Sequence, residues 1–407
     1  MKRNIILTVI LLISFSSLIA ADWTKWRGPE ANGISKETNW NYKILLTQPK
    51  ILWESNVNKG HSAVAVKDGL LYTMGATETG AGEEKFIEDI VYCLNAETGE
   101  EVWRYAYQSK GIAFPGPRAT PVLDGNFVYT LSWEGLVLCF NAQSGNVIWK
   151  RNIFDDAGGK RHERGYCGSP VVEGDLLILT ACESGLALNK KNGNLVWKSE
   201  PAKNSLASPV VFSYKGKRVA AIMNEKRLHI VDVKDGAVLR TISGSETADP
   251  NLWGEKMYLP FGKLVDLTGD SLSTIWENKD ANTSFQGNVI INGYGYQLAR
   301  IKGKQKLICV DLKTGDIAWR ENLGDWGGLM AADGKLIIAD GEGNLIVAEA
   351  SPEAFKPIVN INVLQMPDNK NIKGEDRCYL WTTPVLVNGL IYVRNTWGDL
   401  VCVDVRM

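Results

Sequence analysis

Residues 93–103 read Cys-Leu-Asn-Ala-Glu-Thr-Gly-Glu-Glu-Val-Trp, and closely similar stretches follow at 139–149, 187–197 and 309–319. Each stretch combines an apolar start, an Asn or Asp, a turn glycine and a closing tryptophan. The first three turn glycines recur about every 47 residues, a period typical of propellers and solenoids and not of a mixed domain. The repeat therefore predicts an array of similar β units.

A β-hairpin precedes this stretch in each repeat. Its turn is clearest at Asp68-Gly69, Asp124-Gly125, Glu173-Gly174 and Asn388-Gly389. Asp-Gly and Asn-Gly favour two-residue turns in which both central residues have positive φ. Two hairpins make one four-stranded blade, so the sequence predicts an all-β, eight-bladed β-propeller. The predicted blades span residues 61–104, 118–151, 164–198, 205–241, 247–277, 284–320, 326–363 and a last blade that begins near Tyr379.

The last repeat is incomplete, because the chain stops at Met407 without a final outer strand. A substitute is available near the other end, where Lys50-Ile51-Leu52-Trp53-Glu54 resembles the outer strand Glu101-Val102-Trp103-Arg104. We therefore expect the N-terminal strand to complete the eighth blade and to close the ring, which removes an open sheet edge. The propeller would then span residues 49–407, preceded by an extended segment at 22–48.

The first 21 residues predict a secretory signal peptide. A basic start, Met1-Lys2-Arg3, is followed by an apolar run from Ile5 to Ile19 and the small pair Ala20-Ala21. The run is shorter than the ~20 residues of a membrane-spanning helix, and no second apolar run follows. We expect an exported protein, periplasmic or secreted, that does not span a membrane; an uncleaved N-terminal anchor is the alternative.

The composition narrows the class of partner. The sequence has 45 Lys and Arg against 46 Asp and Glu, which gives a net charge of −1, and 45 % of its residues are hydrophobic. Phosphate binding needs clustered Lys and Arg, so nucleic acid is excluded as an expected partner. The composition indicates a globular chain, which we expect to be a monomer.

Seven cysteines in an exported chain raise the question of disulfides. Four of them, Cys93, Cys139, Cys309 and Cys402, occupy the same repeat position in different blades, so we expect small buried apolar side chains there. Cys167 and Cys182 flank a predicted hairpin and could form a bridge across it. A shift of one residue in strand register would separate them, so the free-thiol alternative stays open.

The Ala-x-Thr-Gly-x-x-x-Trp pattern at residues 96–103 resembles the tryptophan-docking repeat of the PQQ-like (quinoprotein alcohol dehydrogenase-like) propellers. The stretch from Asp22 to Pro29 also resembles the start of secreted PQQ-like repeat proteins of planctomycete-type bacteria. The resemblance implies that the tryptophan of one blade stacks against the glycine turn of its neighbour. The tryptophans with this implied structural role are Trp53, Trp103, Trp149, Trp197, Trp276 and Trp319.

Quinoprotein dehydrogenases of this fold carry two adjacent cysteines against the cofactor and a calcium ion held by Glu, Asn and Asp. No two cysteines are adjacent in this sequence, and no such ligand set can be matched residue by residue. We therefore expect no cofactor, although PQQ with calcium remains the open alternative. The three histidines, His61, His162 and His229, show no metal-ligand spacing.

The best candidates for ligand binding are the loops that enter the innermost strands, because these converge on the central channel of a propeller. The alternative is that small and polar residues simply suit a narrow, wet channel mouth. The candidate residues are His61, Arg118, Arg164, Tyr166, Gln286, Trp326 and Trp381.

Two functional hypotheses follow. The first is a secreted or periplasmic, non-catalytic propeller that acts as a binding or scaffold module for a protein or another envelope component. The second is a periplasmic quinoprotein-like oxidoreductase, or another enzyme for a small ligand, that uses the channel mouth. The fold alone does not decide between them.

Overall fold

A computed structural model of the chain describes residues 22–80, 86–110, 116–244, 247–283, 285, 287–302, 304–324, 327–369, 372 and 376–407. The predicted signal peptide and the candidates Gln286 and Trp326 lie outside these residues. Before the first blade come strand β1 (Ile34–Ser35), a 3₁₀ helix (Tyr42–Leu46) and strand β2 (Ile51–Asn56). The described part of the chain contains no helix with the length and apolar character that a membrane span requires.

Eight antiparallel sheets form an eight-bladed β-propeller, as predicted. Within each blade the strands pair in chain order from the channel outward. Blades 1 and 2 comprise β3 (Ala65–Lys67), β4 (Leu70–Thr79), β5 (Phe86–Asn95) and β6 (Glu101–Ser109), then β7 (Val122–Asp124), β8 (Phe127–Leu131), β9 (Leu136–Asn141) and β10 (Val147–Asn152). A short helix, α1 (Ile153–Asp156), follows. Blades 3 and 4 comprise β11 (Val171–Glu173), β12 (Leu176–Leu179), β13 (Leu186–Asn189) and β14 (Leu195–Lys198), then β15 (Val210–Tyr214), β16 (Lys217–Met223), β17 (Arg227–Asp232) and β18 (Val238–Ser243).

The second half of the ring repeats this arrangement. Blades 5 and 6 comprise β19 (Asn251–Trp253), β20 (Lys256–Leu259), β21 (Phe261–Asp266) and β22 (Ser273–Asn282), then β23 (Asn288–Ile291), β24 (Tyr294–Ile301), β25 (Lys304–Asp311) and β26 (Ile317–Glu321). Blade 7 comprises β27 (Gly328–Ala332), β28 (Lys335–Ala339), β29 (Asn344–Glu349) and β30 (Lys356–Asn362), with β1 added in parallel on its channel side. Blade 8 comprises β31 (Val385–Val387), β32 (Leu390–Arg394) and β33 (Asp399–Asp404).

Strand β2 is the outer strand of blade 8, and this confirms the predicted closure of the ring. It pairs antiparallel with β33, with Ile51 opposite Val403 and Trp53 opposite Cys402. The two chain ends therefore share one sheet, and the edge that β33 would otherwise expose is covered.

The hairpin turns follow two geometries. At Asp68-Gly69 and Asn388-Gly389 both central residues have positive φ, as the sequence predicts. In blades 2 and 3 the turn is shifted by one residue, because Asp124 pairs with Phe127 and Glu173 pairs with Leu176. Glycine then occupies the first central position, the arrangement that suits a type II′ turn.

Tryptophans join neighbouring blades at six of the eight boundaries. Each indole N–H donates to a backbone carbonyl at the glycine turn of the next blade, which provides the partner that a buried indole needs. The pairs are Trp53 with Ala96 (3.1 Å), Trp103 with Ala142 (2.7 Å), Trp149 with Lys190 (2.9 Å), Trp197 with Val233 (2.8 Å), Trp276 with Leu312 (2.9 Å) and Trp319 with Ser351 (2.9 Å). A Cβ added to Gly99 would lie 2.6 Å from the Trp53 ring, so the turn must be glycine there.

The cysteines of the repeat position are buried in the blades. Each lies opposite a buried tyrosine of the neighbouring strand, as in the pairs Tyr72–Cys93 and Tyr392–Cys402. Burial raises the pKa of the Cys93 thiol to about 12. These thiols therefore behave as small apolar side chains.

The segment before β2 lies across the channel and does not extend away from the ring. Trp23 exchanges two backbone hydrogen bonds with Val66 of blade 1, and the Thr24 carbonyl accepts from Leu123 of blade 2. Further along, the Glu37 carboxylate accepts from the backbone N–H groups of Asn388 and Gly389 in blade 8. Because these partners belong to innermost strands and their turns, the segment fills the channel with the chain's own residues.

Candidate functional site

A funnel-shaped pocket of about 280 Å³ opens at the end of the channel where the loops enter the innermost strands. We call it the channel funnel. It is lined by residues of several blades and by Trp26 of the N-terminal segment. The lining residues are Trp26, His61, Arg118, Arg164, Cys167, Ser169, Leu206, Ser208, Thr247, Asp249, Phe285, Arg300, Tyr379 and Trp381.

A chain of hydrogen bonds between blades holds the loops that surround the funnel. The backbone N–H of Ala63 donates to Thr120 Oγ1 (3.2 Å), and that of Thr120 donates to Ser169 Oγ (2.8 Å). The series continues from Ser169 to Ser208 Oγ (3.0 Å) and from Ser208 to Asp249 Oδ1 (2.6 Å). Small hydroxyl residues thus occupy equivalent positions in successive blades, and they fix the backbone from which the larger lining residues project.

The N-terminal segment is tied to blade 5 through Asp249. The Oδ2 atom of Asp249 accepts a hydrogen bond from the Trp26 indole (2.9 Å), while its Oδ1 accepts from the Ser208 N–H. Burial raises the pKa of Asp249, and the nearby guanidinium of Arg27 opposes this rise. Arg27 is itself buried and donates to the backbone carbonyl of Asn288. Asp249, which supplies the one carboxylate among the described lining residues, is therefore already engaged on both oxygens.

The described lining residues include three arginines. Arg118 and Arg164 are half-buried in its walls and Arg300 is exposed at its rim. The pKa of His61 is well below its usual range because the ring is desolvated and lies near Arg118, Arg394 and Arg164, so this histidine is neutral. Burial also raises the pKa of the Cys167 thiol to about 11, although Arg118 and Arg164 act in the opposite direction. Cys167 is therefore a neutral thiol at physiological pH.

One wall of the funnel is aromatic. Tyr379 and Trp381 stack with ring centroids 4.5 Å apart and planes inclined by 8°. His61 stacks on Trp381 at 5.0 Å, and Phe285 lies 5.8 Å from the same ring. Four rings from three different parts of the chain thus form one stacked aromatic cluster, with Trp381 at its centre.

The structure places the predicted ligand-binding residues in different environments. It brings His61, Arg118, Arg164 and Trp381 together in the funnel wall. Tyr166 is not part of the funnel: its ring is buried in the core between blades 2 and 3, and its hydroxyl donates to the Lys160 carbonyl at 3.3 Å. Gln286 and Trp326 lie outside the described residues.

Several lining residues escaped the sequence analysis. Trp26 belongs to the N-terminal segment, which has no repeat pattern to place it. Arg300 lies near the end of β24, in a hairpin that is longer than those of the other blades except blade 1. Asp249, Phe285 and Tyr379 belong to loops that the repeat pattern does bring to the channel, so their position could have been inferred from their offset before the innermost strand.

The possible bridge between Cys167 and Cys182 is not formed, and both are free thiols. The pairing of β11 with β12 ends at Val171 and Ile178, before the strands reach the cysteines. Beyond that point the chain turns, since the Ala181 N–H donates to the Leu179 carbonyl at 3.0 Å. Cys182 then packs into the core while Cys167 lines the funnel.

The side chains that could coordinate a metal ion limit the chemistry of the site. Among the described residues, no three His, Cys, Asp or Glu side chains are grouped so that they could hold a metal ion. The described lining residues offer one carboxylate, which does not fit the Glu, Asn and Asp ligands of the calcium–quinone centre implied by the resemblance.

Solved structures place this chain among large propellers. BamB from Moraxella catarrhalis superposes with a TM-score of 0.60 at 13 % identity, covering 88 % of this chain and 99 % of that one. The quinohemoprotein alcohol dehydrogenase of Comamonas testosteroni gives a TM-score of 0.55 at 13 % identity, with 94 % and 80 % covered. A europium-containing methanol dehydrogenase gives 0.54 at 11 % identity, with 92 % and 89 % covered. At such identities the likeness establishes the fold alone.

A comparison with curated proteins gives no match to the sequence. A family model does match, over residues 87–352, and its description is outer membrane protein assembly factor BamB. The matched region runs from the second hairpin of blade 1 to the end of β29 in blade 7, so it covers most of the ring. The chain therefore belongs to the family of PQQ-like repeat propellers that this model describes.

Proposed function

We propose that the protein is an exported, non-catalytic propeller that binds a protein component of the cell envelope. The observation that carries the proposal is the occupied channel: the N-terminal segment is bonded to the innermost strands and their turns, and Trp26 of this segment lines the funnel. In a propeller the channel is where ligand-binding loops converge, so a chain that fills its own channel has given up most of that volume.

Family membership supports a protein partner. The matching family is described as an outer membrane assembly factor, and the superposed BamB structure is covered over 99 % of its length. By analogy, the partner would be a protein of the cell envelope, and the chain would act in the periplasm or beyond the cell.

The outer strands offer a surface of the right kind. Similar β-branched residues are exposed on the outermost strands of blades 1 to 5, in most cases directly before the docking tryptophan. The outermost strands are also free sheet edges, which can pair with a strand of another protein. The exposed residues are Val102, Ile148, Val196, Val238 and Ile275.

The test is to cross-link the mature chain, residues 22–407, in its source organism through a photoreactive residue at Val102, Ile148 or Val196. The expected result is a discrete adduct with one envelope protein, and saturable binding when that protein and the chain are purified and mixed. Failure of every recovered protein to bind saturably would contradict the proposal.

A second measurement tests the enzyme alternative. Purified protein would be titrated with PQQ and Ca²⁺ and assayed for dye-linked oxidation of alcohols and sugars. We expect neither saturable binding nor turnover, because the described funnel residues lack the ligand set of a calcium–quinone centre. Saturable binding with turnover would make the protein an oxidoreductase.

A further inference from the structure

The outer strand of blade 7 carries no docking tryptophan. Strand β30 reads Lys-Pro-Ile-Val-Asn-Ile-Asn over Lys356–Asn362, so no indole from it lies against blade 8. A cavity of about 560 Å³ lies at this boundary, and we call it the blade 7/8 groove. It is lined by parts of β2 and β33 and by residues 362–365. Glu54, Asn362 and Gln365 are exposed, so the groove lies at the protein surface.

The charge of the groove is negative. The described lining residues include the carboxylates of Glu54 and Asp399 and no lysine, arginine or histidine. The Glu54 carboxylate makes no hydrogen bond or ion pair with any residue that the structure describes. Asp399 accepts from the side-chain amides of Asn56 at 2.7 Å and Asn395 at 2.8 Å, and these neutral donors leave its charge in place. A cationic side chain would therefore be attracted to the groove.

Glu54 differs from its counterparts in the other blades that carry a docking tryptophan. The residue that follows this tryptophan is Glu277 in blade 5 and is basic in four blades. The basic residues are Arg104, Lys150, Lys198 and Arg320. The Glu277 carboxylate is paired with Lys263 at 3.0 Å, whereas Glu54 has no such partner among the described residues. Blade 8 thus presents an unpaired negative charge where the other blades present a positive or a paired one.

The strand register sets the spacing of the two carboxylates. Glu54 lies opposite Val401, and Asn56 lies opposite Asp399, so the carboxylates are two residue positions apart along the sheet. Residues directly opposite each other share a face of the sheet, and so do residues i and i+2 of a strand. An extended polypeptide presents alternate side chains at the same interval, about 6.6 Å. Two basic residues separated by one other residue therefore match the groove.

Strand β2 provides an edge along which such a segment can lie. It is the last strand of its sheet and pairs with β33 on one side. The N–H and C=O groups of a sheet edge can bond to an added extended segment. Ile51, Val363 and Leu364 line the same groove, so the uncharged side chains of the segment would meet apolar groups.

We propose that the blade 7/8 groove is a docking site for an extended, basic segment of a partner protein, which lies along β2 with two alternate basic side chains on Glu54 and Asp399. This inference rests on the proposed function, since it names the part of a protein partner that the propeller would recognise.

The test uses calorimetric titration at low ionic strength with the peptide acetyl-Thr-Val-Arg-Val-Arg-Val-Thr-amide. We expect saturable one-to-one binding that weakens as salt is added. The isomer acetyl-Thr-Val-Val-Arg-Arg-Val-Thr-amide should bind about threefold more weakly or worse, because adjacent side chains point to opposite faces of an extended chain. A peptide with glutamate in place of both arginines should not bind.

Protein variants test the assigned residues. Glu54→Gln is expected to weaken binding of the alternating arginine peptide about threefold to fivefold, the usual effect of an exposed ion pair, and Glu54→Lys about tenfold or more. Glu277→Gln is the matched control, because Glu277 follows Trp276 as Glu54 follows Trp53, and it should leave the affinity unchanged. Circular dichroism melts of each variant establish that it is folded.

A cross-linking experiment locates the bound peptide. Benzoylphenylalanine in place of the central valine should form adducts with residues 51–56 or 362–365, which mass spectrometry of the digested protein identifies. Adducts confined to other parts of the ring would overturn the proposal.

Four results of the titrations would also overturn it: no saturable binding, equal affinity for the arginine and glutamate peptides, equal affinity for the two arginine isomers, or an equal loss in Glu277→Gln. A dimer in light scattering that Glu54→Lys dissociates would assign the groove to a second copy of the chain and would overturn it as well. If the protein recovered through Val102, Ile148 or Val196 binds unchanged to both Glu54 variants, the proposed function stands and the groove assignment falls.

Discussion

Lys50 Nζ donates to the Asp404 carboxylate at 2.6 Å, and this ion pair lies where the first strand of the ring meets the last one. Asp404 is buried, with 3 % of its side chain exposed, and it also accepts from Arg406 Nε at 2.9 Å. The backbone of the same two residues is joined as well, because the Asp404 N–H donates to the Lys50 carbonyl at 2.8 Å. Asp404 therefore links the two chain ends through both its backbone and its side chain.

Asp404→Asn is expected to lower the free energy of unfolding at pH 7 by about 2 kcal/mol, because charged hydrogen bonds are lost in a buried place. The hydrogen bonds from Arg406 and Lys50 hold the pKa of Asp404 far below its usual range. Its contribution is thus fully present above about pH 4 and is lost only as the pH falls through the lowered pKa, so the difference between the parent and the variant should shrink steadily in acid. Urea denaturation at pH 7 and at successive pH values below 4 measures this decrease.

Asp232→Asn is the matched control for this pair. Asp232 ends β17 as Asp404 ends β33, and it accepts from Lys217 at 2.8 Å within a single blade. We expect a loss below about 1 kcal/mol, the usual range for such surface pairs. If the two variants lose equal amounts of unfolding free energy, the position of Asp404 at the ring closure adds nothing to the stability that an ordinary ion pair within a blade provides.

Gly99→Ala should lower the free energy of unfolding by about 3 kcal/mol. The φ of Gly99 is +72°, which strains an alanine by about 1 kcal/mol, and the added methyl would overlap the Trp53 ring, which adds about 2 kcal/mol. Gly69→Ala isolates the first contribution, because Gly69 has a φ of +76° and nothing within 4 Å of an added Cβ. Chemical denaturation of both variants provides the comparison, and equal losses would contradict the tryptophan contact.

Asp89→Asn is expected to stabilise the protein at pH 8 by about 2 kcal/mol and to leave it unchanged near pH 4. Burial, together with Glu134, raises the pKa of Asp89 to about 7 against the opposing effect of Arg118. The folded protein thus keeps a proton that the unfolded chain releases near pH 4, and stability from this group falls as the pH rises from 4 to 7. Thermal melts at both pH values measure the effect. Glu88 is a half-exposed neighbour of Asp89 on β5, and Glu88→Gln serves as the control. It should change the melting temperature by the same amount at both pH values.

The seven cysteines should all react as free thiols when the unreduced protein is denatured in the presence of Ellman's reagent. In the native protein the reaction should be slow, because six thiols are buried and burial keeps the pKa of Cys167 at about 11. Five reacting thiols instead of seven would indicate a disulfide. Cys167→Ser would then show whether Cys167 is one of its partners.

The repeat made most of the ring predictable. The positions of Trp103 and Gly99 recur at fixed offsets in the repeats. Because each tryptophan packs on the glycine turn of the next repeat, the repeat pattern alone predicts the contacts between blades. The match between residues 50–54 and 101–104 likewise allowed the closure to be predicted. Positions such as Asp124-Gly125, where the turn moved by one residue, depend on strand register, which the sequence pattern alone leaves open.

The funnel was less predictable because part of its lining comes from outside the repeat. Trp26 and Arg27 contact Asp249 and Asn288, residues more than 200 positions away, and no periodic signal connects them. Tyr166 was misplaced for a related reason: two residues after Arg164 the side chain points into the core between blades instead of the channel. An aromatic side chain in an entry loop serves either purpose, and the local sequence does not separate them.

The pairing of β2 with β33 also sets an order for biogenesis. The ribosome produces Ile51–Asn56 before the first blade and Asp399–Asp404 after seven blades. Until blade 8 has been synthesised, the early strand lacks the sheet that it belongs to, and the channel segment lacks the blade 8 turn that binds Glu37. The circular fold is consequently completed only once β33 has been made, and a polypeptide that lacks β33 would retain seven blades but could not seal the circle.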